Sequence, residues 1–250
     1  SPHTPAPPRL SGLVGSEMCI RDRDDSYTSS VSIAVVDSGV HVPHPHLPSV
    51  AGGVTLGPEG HESPDFVDRI GHGTAVTAAI HEKAPDSELW AVKVFKSKLK
   101  TSVPVLVRAI DWAIDRKIPL VNMSLGTTNR LRAPELGPVI ERAFKAGTVV
   151  ISAHQHDGAI WYPGALPGVV GVVADMDQPR DQLGLVELPR GTAVVASPYP
   201  RPIPGVPVEQ NLHGISFAVA NATGGIARLI NETGMAQSAD SIIDLIRSRI

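Results

Sequence analysis

Short apolar runs alternate with longer amphipathic stretches along most of the chain, from Val31 onward. The short runs are rich in β-branched residues and predict buried strands at 32–36, 89–95, 120–123, 148–152, 169–173 and 193–196. Stretches with apolar residues three or four positions apart predict helices at 74–81, 102–116, 134–146, 216–231 and 238–249. This alternation predicts the α/β class, as a three-layer, doubly wound, mostly parallel sheet with helices on both faces.

Two segments depart from this pattern. Residues 1–28 begin with a Pro-rich run and show neither helical nor strand periodicity, and the stretch 14–23 resembles an adapter read-through, a sequencing scar. We therefore predict that 1–28 is a non-native or disordered leader, with a genuine flexible arm as the alternative, and that 29–250 form one domain. Residues 197–207 contain five prolines, which predicts an extended loop or a sheet edge.

Composition excludes several classes of protein. The 250 residues carry a formal net charge of −3, without the basic footprint of a nucleic-acid binder. The single cysteine, Cys19, lies in the leader and cannot form an intramolecular disulfide. No apolar run reaches the roughly 20 residues that span a bilayer, and the N-terminus lacks a signal-peptide pattern. We therefore expect a soluble protein with no nucleic-acid or membrane partner, favour a monomer, and leave its localisation open.

Three polar residues lie beside glycine at the edge of an apolar element. Asp37 follows the first strand, where doubly wound sheets gather functional groups, although an Asx turn is an equal alternative. His72 lies between two glycines, which suggests close backbone approach around it; a surface or core histidine is the alternative. Ser216 begins a helix, either as an N-cap or as a nucleophile. Together they suit acyl transfer, because a serine nucleophile needs a histidine base and the histidine needs a carboxylate.

Six segments of the chain resemble the subtilisin-like serine proteases (subtilases, peptidase S8) in order and approximate spacing. They are Val36-Asp37-Ser38-Gly39-Val40, Gly71-His72-Gly73-Thr74-Ala75-Val76, Ala91-Val92-Lys93-Val94-Phe95, Val121-Asn122-Met123-Ser124-Leu125-Gly126, Tyr162-Pro163-Gly164 and Gly214-Ile215-Ser216-Phe217-Ala218. The resemblance implies a subtilisin-like fold and a serine endopeptidase that forms an acyl-enzyme intermediate. A nucleotide-binding doubly wound domain is the weaker alternative, since both the G-x-G-x-x-G fingerprint and a P-loop are missing.

The resemblance also implies a role for each matching residue. Asp37 orients His72, His72 is the general base, and Ser216 attacks the scissile carbonyl. The segment Ser124, Leu125 and Gly126 resembles the family's substrate-binding strand, whose backbone pairs with an extended polypeptide and whose residues form the wall of the pocket for the side chain before the cut. The expected partner is therefore a polypeptide substrate in extended form.

The sequence departs from the family at two places near the chemistry. His156 stands where an asparagine of the oxyanion hole is expected, and an imidazole can also donate a hydrogen bond. A shift of one or two residues in the alignment gives His154, Gln155 or Asp157 this place instead. Ile215 stands where threonine is common in the family. The alternative function is therefore a catalytically weak or inactive relative that binds peptides in the same groove.

The sequence predicts no metal site and no cofactor for the chemistry. His41, His44 and His46 are numerous enough for a metal site, but the neighbouring prolines restrict chelating geometry. Calcium often stabilises subtilases, yet no acidic loop here shows a clear ligand spacing, so structural calcium is left open.

Overall fold

A computed structural model describes residues 30–95, 98–234 and 238–250. The predicted leader, residues 1–28, lies outside the described residues. The helices are α1 His72–Lys83, α2 Val103–Asp115, α3 Ala133–Ala146, α4 Ile215–Thr233 and α5 Ala239–Arg247. The strands are β1 Ser32–Asp37, β2 Gly52–Leu56, β3 Glu62–Ser63, β4 Glu88–Lys93, β5 Leu120–Met123, β6 Val149–His156, β7 Ala159–Ile160, β8 Val170–Ala174, β9 Gly184–Leu188 and β10 Gly191–Ala196.

All ten strands belong to one sheet, with the order β3-β2-β4-β1-β5-β6-β8-β10-β9 and with β7 paired to β6. The neighbours from β2 to β10 along this order are parallel. β3 and β9 are antiparallel strands at the two edges, and β7 pairs antiparallel with the end of β6. The sheet is therefore mostly parallel, as predicted.

The two faces of the sheet carry separate hydrophobic cores. In β1, Ile33 and Val35 contact the core formed with α1, α4 and α5, whereas Ala34 and Val36 contact the core formed with α2 and α3. Successive strand residues point to opposite faces, so a strand buried on both sides must be apolar throughout. This arrangement confirms the predicted three-layer α/β fold.

Some elements differ from the sequence prediction. The strands β2, β3, β7 and β9 were not predicted, because they are short or half-exposed and lack a continuous apolar run. Residues 197–207 form neither helix nor strand, in agreement with the predicted loop. The buried Asn221 of α4 fixes this loop by donating to the carbonyls of Ser197 at 2.8 Å and Tyr199 at 2.9 Å. Within the described residues, no helix is both long and apolar enough to cross a membrane.

The topology brings the candidate residues to one edge of the sheet. β1 ends at Asp37 and the adjacent β5 ends just before Ser124, so both segments leave the sheet at the carboxyl ends of parallel strands. The helices α1 and α4 begin at the same edge, with His72 and Ile215 as their first residues. Functional groups of doubly wound sheets gather at such an edge.

Candidate active site

His72 is held against Asp37 at the start of α1. The Nδ1 of His72 donates to Oδ1 of Asp37 at 2.8 Å, and the same oxygen accepts the backbone N–H of Ser38 at 2.7 Å. The two elements approach so closely that a Cβ on Gly73 would lie 2.3 Å from the carbonyl oxygen of Gly39. Only glycine fits there, which bears out the close backbone approach expected from the flanking glycines.

The environment of His72 favours its charged form. The side chain of Asp37 is buried, and that of His72 is 21% exposed. Burial by itself would lower the pKa of His72, but the hydrogen bond from His72 to Asp37 and the negative charges of Asp37 and Asp68 leave that pKa above its ordinary value. When it is neutral, His72 can accept a proton from a neighbouring hydroxyl, and the two carboxylates then stabilise the resulting positive charge.

A second buried carboxylate, Asp68, accepts hydrogen bonds both from the segment after β1 and from the segment that begins α1. Its Oδ1 accepts hydrogen bonds from Ser38 Oγ and from the backbone N–H groups of Ile70 and Gly71, each at 2.9 Å. Its Oδ2 accepts from the backbone N–H and the hydroxyl of Thr74, at 2.9 and 2.7 Å. Burial would raise the pKa of Asp68, but these hydrogen bonds hold it below its ordinary value. Sequence reasoning missed Asp68, whose only signal is that an acidic residue lies four positions before a histidine that begins a helix.

Ser216 lies in the first turn of α4 and is fixed to the end of β5. Its Oγ donates to the backbone carbonyl of Ser124 at 3.2 Å rather than to His72, and Ser124 Oγ in turn donates to the carbonyl of Ser216 at 3.2 Å. The side chain of Asn122 donates to Ser124 Oγ at 3.0 Å and accepts from Thr223 of α4 at 3.0 Å. These polar contacts set the position of the α4 N-terminus relative to the sheet.

One cavity of about 600 Å³ contains most of the candidate residues. His72, Ser216 and the segment Ser124, Leu125 and Gly126 all line it, together with Ala153 and Trp161. Asp37 lies behind His72, outside this lining. The structure therefore brings together Asp37, His72, Ser216 and the expected substrate-binding segment.

His156, by contrast, lines a neighbouring cavity of about 540 Å³ that also contains Gln155, Asp157, His213 and Gly214. Its Nε2 lies 3.4 Å from a carboxylate oxygen of Asp157. Gly214 is only two residues before Ser216, so His156 is close to the start of α4 without sharing the cavity of His72 and Ser216.

His154, one of the alternatives for the same role, faces away from the candidate site. Ala153 lines the cavity with Ser216, whereas the next residue of β6, His154, does not. The side chain of His154 instead lines a separate cavity of about 330 Å³ with Arg190 and residues of α5. It is 5% exposed, and both of its ring nitrogens lack a hydrogen-bond partner within the described residues.

This burial makes His154 a source of acid sensitivity. Burial, together with the positive charge of Arg190, lowers the pKa of His154 below its ordinary value of 6.5. The unfolded chain then binds a proton more readily than the folded one, so stability falls as the pH drops below about 6.5, by at most about 1.4 kcal/mol per pH unit. We expect His154→Gln to reduce the slope of the unfolding free energy against pH between pH 7 and 5, measured by urea denaturation. Equal slopes in the parent and the variant would contradict this assignment.

The three histidines considered as metal ligands form no evident metal site. The rings of His44 and His46 meet edge to face with centroids 5.4 Å apart, and His44 Nδ1 accepts the backbone N–H of His46 at 3.2 Å. Across the part of the chain that the structure describes, no group of three or more His, Cys, Asp or Glu side chains is arranged to hold a metal ion. The absence of a metal from the chemistry stays a prediction.

Comparisons with known proteins agree with the fold and with the family that the sequence resembles. The sequence model of the peptidase S8 or subtilase family matches residues 28–183. A subtilisin of Bacillus pumilus is 30% identical over 210 residues, which cover 78% of this chain and 72% of that protein. Subtilisin E of Bacillus subtilis strain 168 is also 30% identical over 210 residues, and the match covers 52% of its length.

Solved structures show the same architecture. A lanthipeptide protease matches with a TM-score of 0.64 at 18% identity, over 87% of this chain and 79% of that one. The prenylagaramide maturation protease PagA matches with a TM-score of 0.62 at 23% identity, over 84% of this chain and 80% of that one. The chain belongs to the subtilase family of serine-type endopeptidases.

Proposed function

We propose that the protein hydrolyses peptide bonds with Asp37, His72 and Ser216 as its catalytic triad. The observation that carries the proposal is the 2.8 Å hydrogen bond between His72 and a buried Asp37, with His72 and Ser216 lining one cavity. The hydrogen bond fixes the proton on Nδ1, so that Nε2 of His72 is free to accept one.

The chemistry follows from these positions. Rotation of the Ser216 side chain away from the Ser124 carbonyl lets its Oγ approach His72, and catalytic hydrogen bonds often tighten only when substrate binds. Ser216 Oγ bonds to the scissile carbonyl carbon while its proton moves to His72 Nε2. His72 then gives that proton to the leaving amine as the C–N bond breaks, which leaves an ester on Ser216. A water molecule, deprotonated by His72, hydrolyses the ester and restores the serine.

The developing negative charge on the carbonyl oxygen needs hydrogen-bond donors. Ser216 is the second residue of α4, so its backbone N–H has no acceptor within the helix and is one donor. As the second donor we propose His156, from the end of β6, a strand against which α4 packs. This role requires its side chain to turn from the neighbouring cavity that it lines toward Ser216. Loss of one such donor typically lowers kcat by about 10²–10³.

The substrate of this proposal is a polypeptide in extended form. Ser124, Leu125 and Gly126 follow the last residue of β5 and line the cavity beside Ser216, where an extended backbone can pair with them. Ser216 attacks the carbonyl that this pairing presents. No cofactor has a part in this chemistry, and structural calcium is left open.

Labelling with a fluorophosphonate tests the proposed nucleophile. We expect the parent chain to form a covalent adduct on Ser216 and to cleave peptides, whereas Ser216→Ala does neither. Ser248→Ala is the matched control, because it removes an exposed serine hydroxyl just after α5 and keeps the nucleophile, so its labelling should persist.

A folded parent chain that is not labelled would reject the proposal. Binding of extended peptides by such an unreactive chain would favour the alternative, a catalytically inactive peptide-binding relative. Circular dichroism establishes that both variants are folded.

A further inference from the structure

The cavity that contains His72 and Ser216 extends well beyond them, and we call the whole of it the substrate groove. Besides Ser216, its lining includes Leu125 and Gly126, the segment before α2 and the segment that joins β5 to α3. The last two segments contribute Lys100, Asn129 and Arg132. These polar residues differ in chemistry from Val103, Leu106 and Leu125, which provide apolar walls of the same cavity.

The formal charges in the described lining of the substrate groove are all positive. Lys100 and Arg132 carry full positive charges, and none of the described residues that line the groove is Asp or Glu. An adjoining cavity of about 400 Å³ shares Lys100 and adds Lys98, and its described lining also lacks a carboxylate. The whole chain has a net charge of −3, so this positive region is a local feature.

Neither cation of the groove is fully neutralised by the protein. Within the described residues, Lys100 forms no ion pair. Arg132 Nε pairs with Glu135 Oε1 at 2.8 Å, but both side chains are 43% exposed, and the pair leaves the terminal nitrogens of the guanidinium for another acceptor. Such exposed ion pairs contribute little free energy, so a second carboxylate can displace Glu135 from Arg132 or share the guanidinium with it.

We propose that the cationic end of the substrate groove, formed by Lys100 and Arg132, binds an Asp or Glu side chain of the polypeptide substrate on the N-terminal side of the scissile bond. This inference rests on the proposed function, because Ser124 to Gly126 are expected to pair with the substrate residues that precede the cut. A peptide that extends past Gly126 along the groove reaches Lys100 and Arg132. Charge complementarity there adds affinity and selects among substrates.

Cleavage of a proteome-derived peptide library, read by mass spectrometry, tests the inference. We expect Asp and Glu to be enriched about fivefold at one or two positions before the cut, the size of effect that two exposed ion pairs produce. Lys100→Gln/Arg132→Gln should abolish this enrichment. The matched control, Arg142→Gln/Lys145→Gln, removes the same two residue types from the exposed face of α3 and should retain it. Raising NaCl to about 0.5 M should weaken the enrichment, since salt screens exposed charges.

A binding measurement separates failure of this inference from failure of the proposed function. Fluorescein-labelled ten-residue peptides of Ala and Leu, with either Glu or Gln at the same positions of the N-terminal half, are titrated into Ser216→Ala and followed by anisotropy. We expect about fivefold tighter binding of the Glu peptide. If the parent chain cleaves nothing but Ser216→Ala prefers the Glu peptide, the proposed function fails and the cationic site stands. Equal affinities, no binding, or an enrichment that survives Lys100→Gln/Arg132→Gln would overturn the inference.

Discussion

Replacing Asp37 by asparagine is expected to lower kcat for peptide hydrolysis by about 10⁴-fold, with a much smaller change in KM. The carboxylate accepts from His72 Nδ1 at 2.8 Å and is 1% exposed, so no water can take its place without a rearrangement. An asparagine that turns its NH₂ group toward the ring forces the proton onto Nε2, and the ring can then no longer accept the proton of Ser216. Hydrolysis of a quenched fluorogenic peptide, normalised to the folded protein, gives both constants.

The pH profile of the same variant provides a second readout. Peptide hydrolysis needs neutral His72, so kcat/KM rises as the pH increases through the pKa of His72. The charge of Asp37 raises that pKa, and its removal should move the acid limb of the profile to lower pH.

Asp111→Asn is the control for Asp37→Asn, because it makes the same substitution at an exposed ion pair with Arg142. It should leave kcat and the pH profile of the parent chain unchanged. A kcat for Asp37→Asn within tenfold of the parent would show that Asp37 does not orient the catalytic base, and the proposed triad would need another carboxylate.

The central strands of the sheet could be predicted because a strand that is buried on both faces is a continuous run of apolar residues. Strand β5 was predicted at its observed bounds, since all four of its residues are buried. Strand β2 begins with Gly52 and Gly53, and β9 is only half-buried along most of its length, so neither shows a continuous apolar run. The place of β2 in the sheet depends on its pairing with β4, which is distant in the sequence. The place of β9 depends on its pairing with β10, which follows it after a turn.

The candidate site was predictable where chemistry requires a particular residue type. Asp37, His72 and Ser216 could be selected because acyl transfer needs a carboxylate, a base and a nucleophile, and each lies beside glycine. The orientation of side chains on β6 was not predictable to the same degree. An alignment uncertainty of one residue decides whether His154 or a neighbour faces Ser216, and only the strand geometry shows that Ala153 does.

Asp68 could not be predicted as part of the site because its partners are distributed. In the sequence, a carboxylate in the polar stretch before His72 cannot be distinguished from an ordinary solvent-exposed loop residue. Its importance depends on Ser38, which is 30 residues away and donates to Asp68 Oδ1, while Ser38 Oγ accepts the backbone N–H of Gly73 at 2.9 Å. The network joins the segment after β1 to the first turn of α1, and these two segments carry Asp37 and His72.

We expect Asp68→Asn to destabilise the protein by about 3 kcal/mol and to lower kcat. Two carboxylate oxygens accept hydrogen bonds from Ser38, Ile70, Gly71 and Thr74, and an asparagine offers only one oxygen, so its NH₂ group faces donors with nothing to accept. Urea denaturation measures the stability. Asp65→Asn is the matched control: it makes the same change in the same loop, but at a side chain that is 50% exposed, so it should cost far less.

A further variant separates the effect of the Asp68 charge on the pKa of His72 from the effect of its hydrogen bonds on the position of His72. The charge of Asp68 raises the pKa of His72, so Asp68→Asn should move the acid limb of kcat/KM to lower pH. Ser38→Ala removes a hydrogen bond of the same network and leaves the charge of Asp68 in place, so it should lower kcat without moving that limb. It also keeps the test available if Asp68→Asn does not fold. A normal kcat in Ser38→Ala would show that the network stabilises the fold without positioning His72, because among the described residues the hydroxyl is the one side-chain link between Asp68 and the segment that carries Asp37.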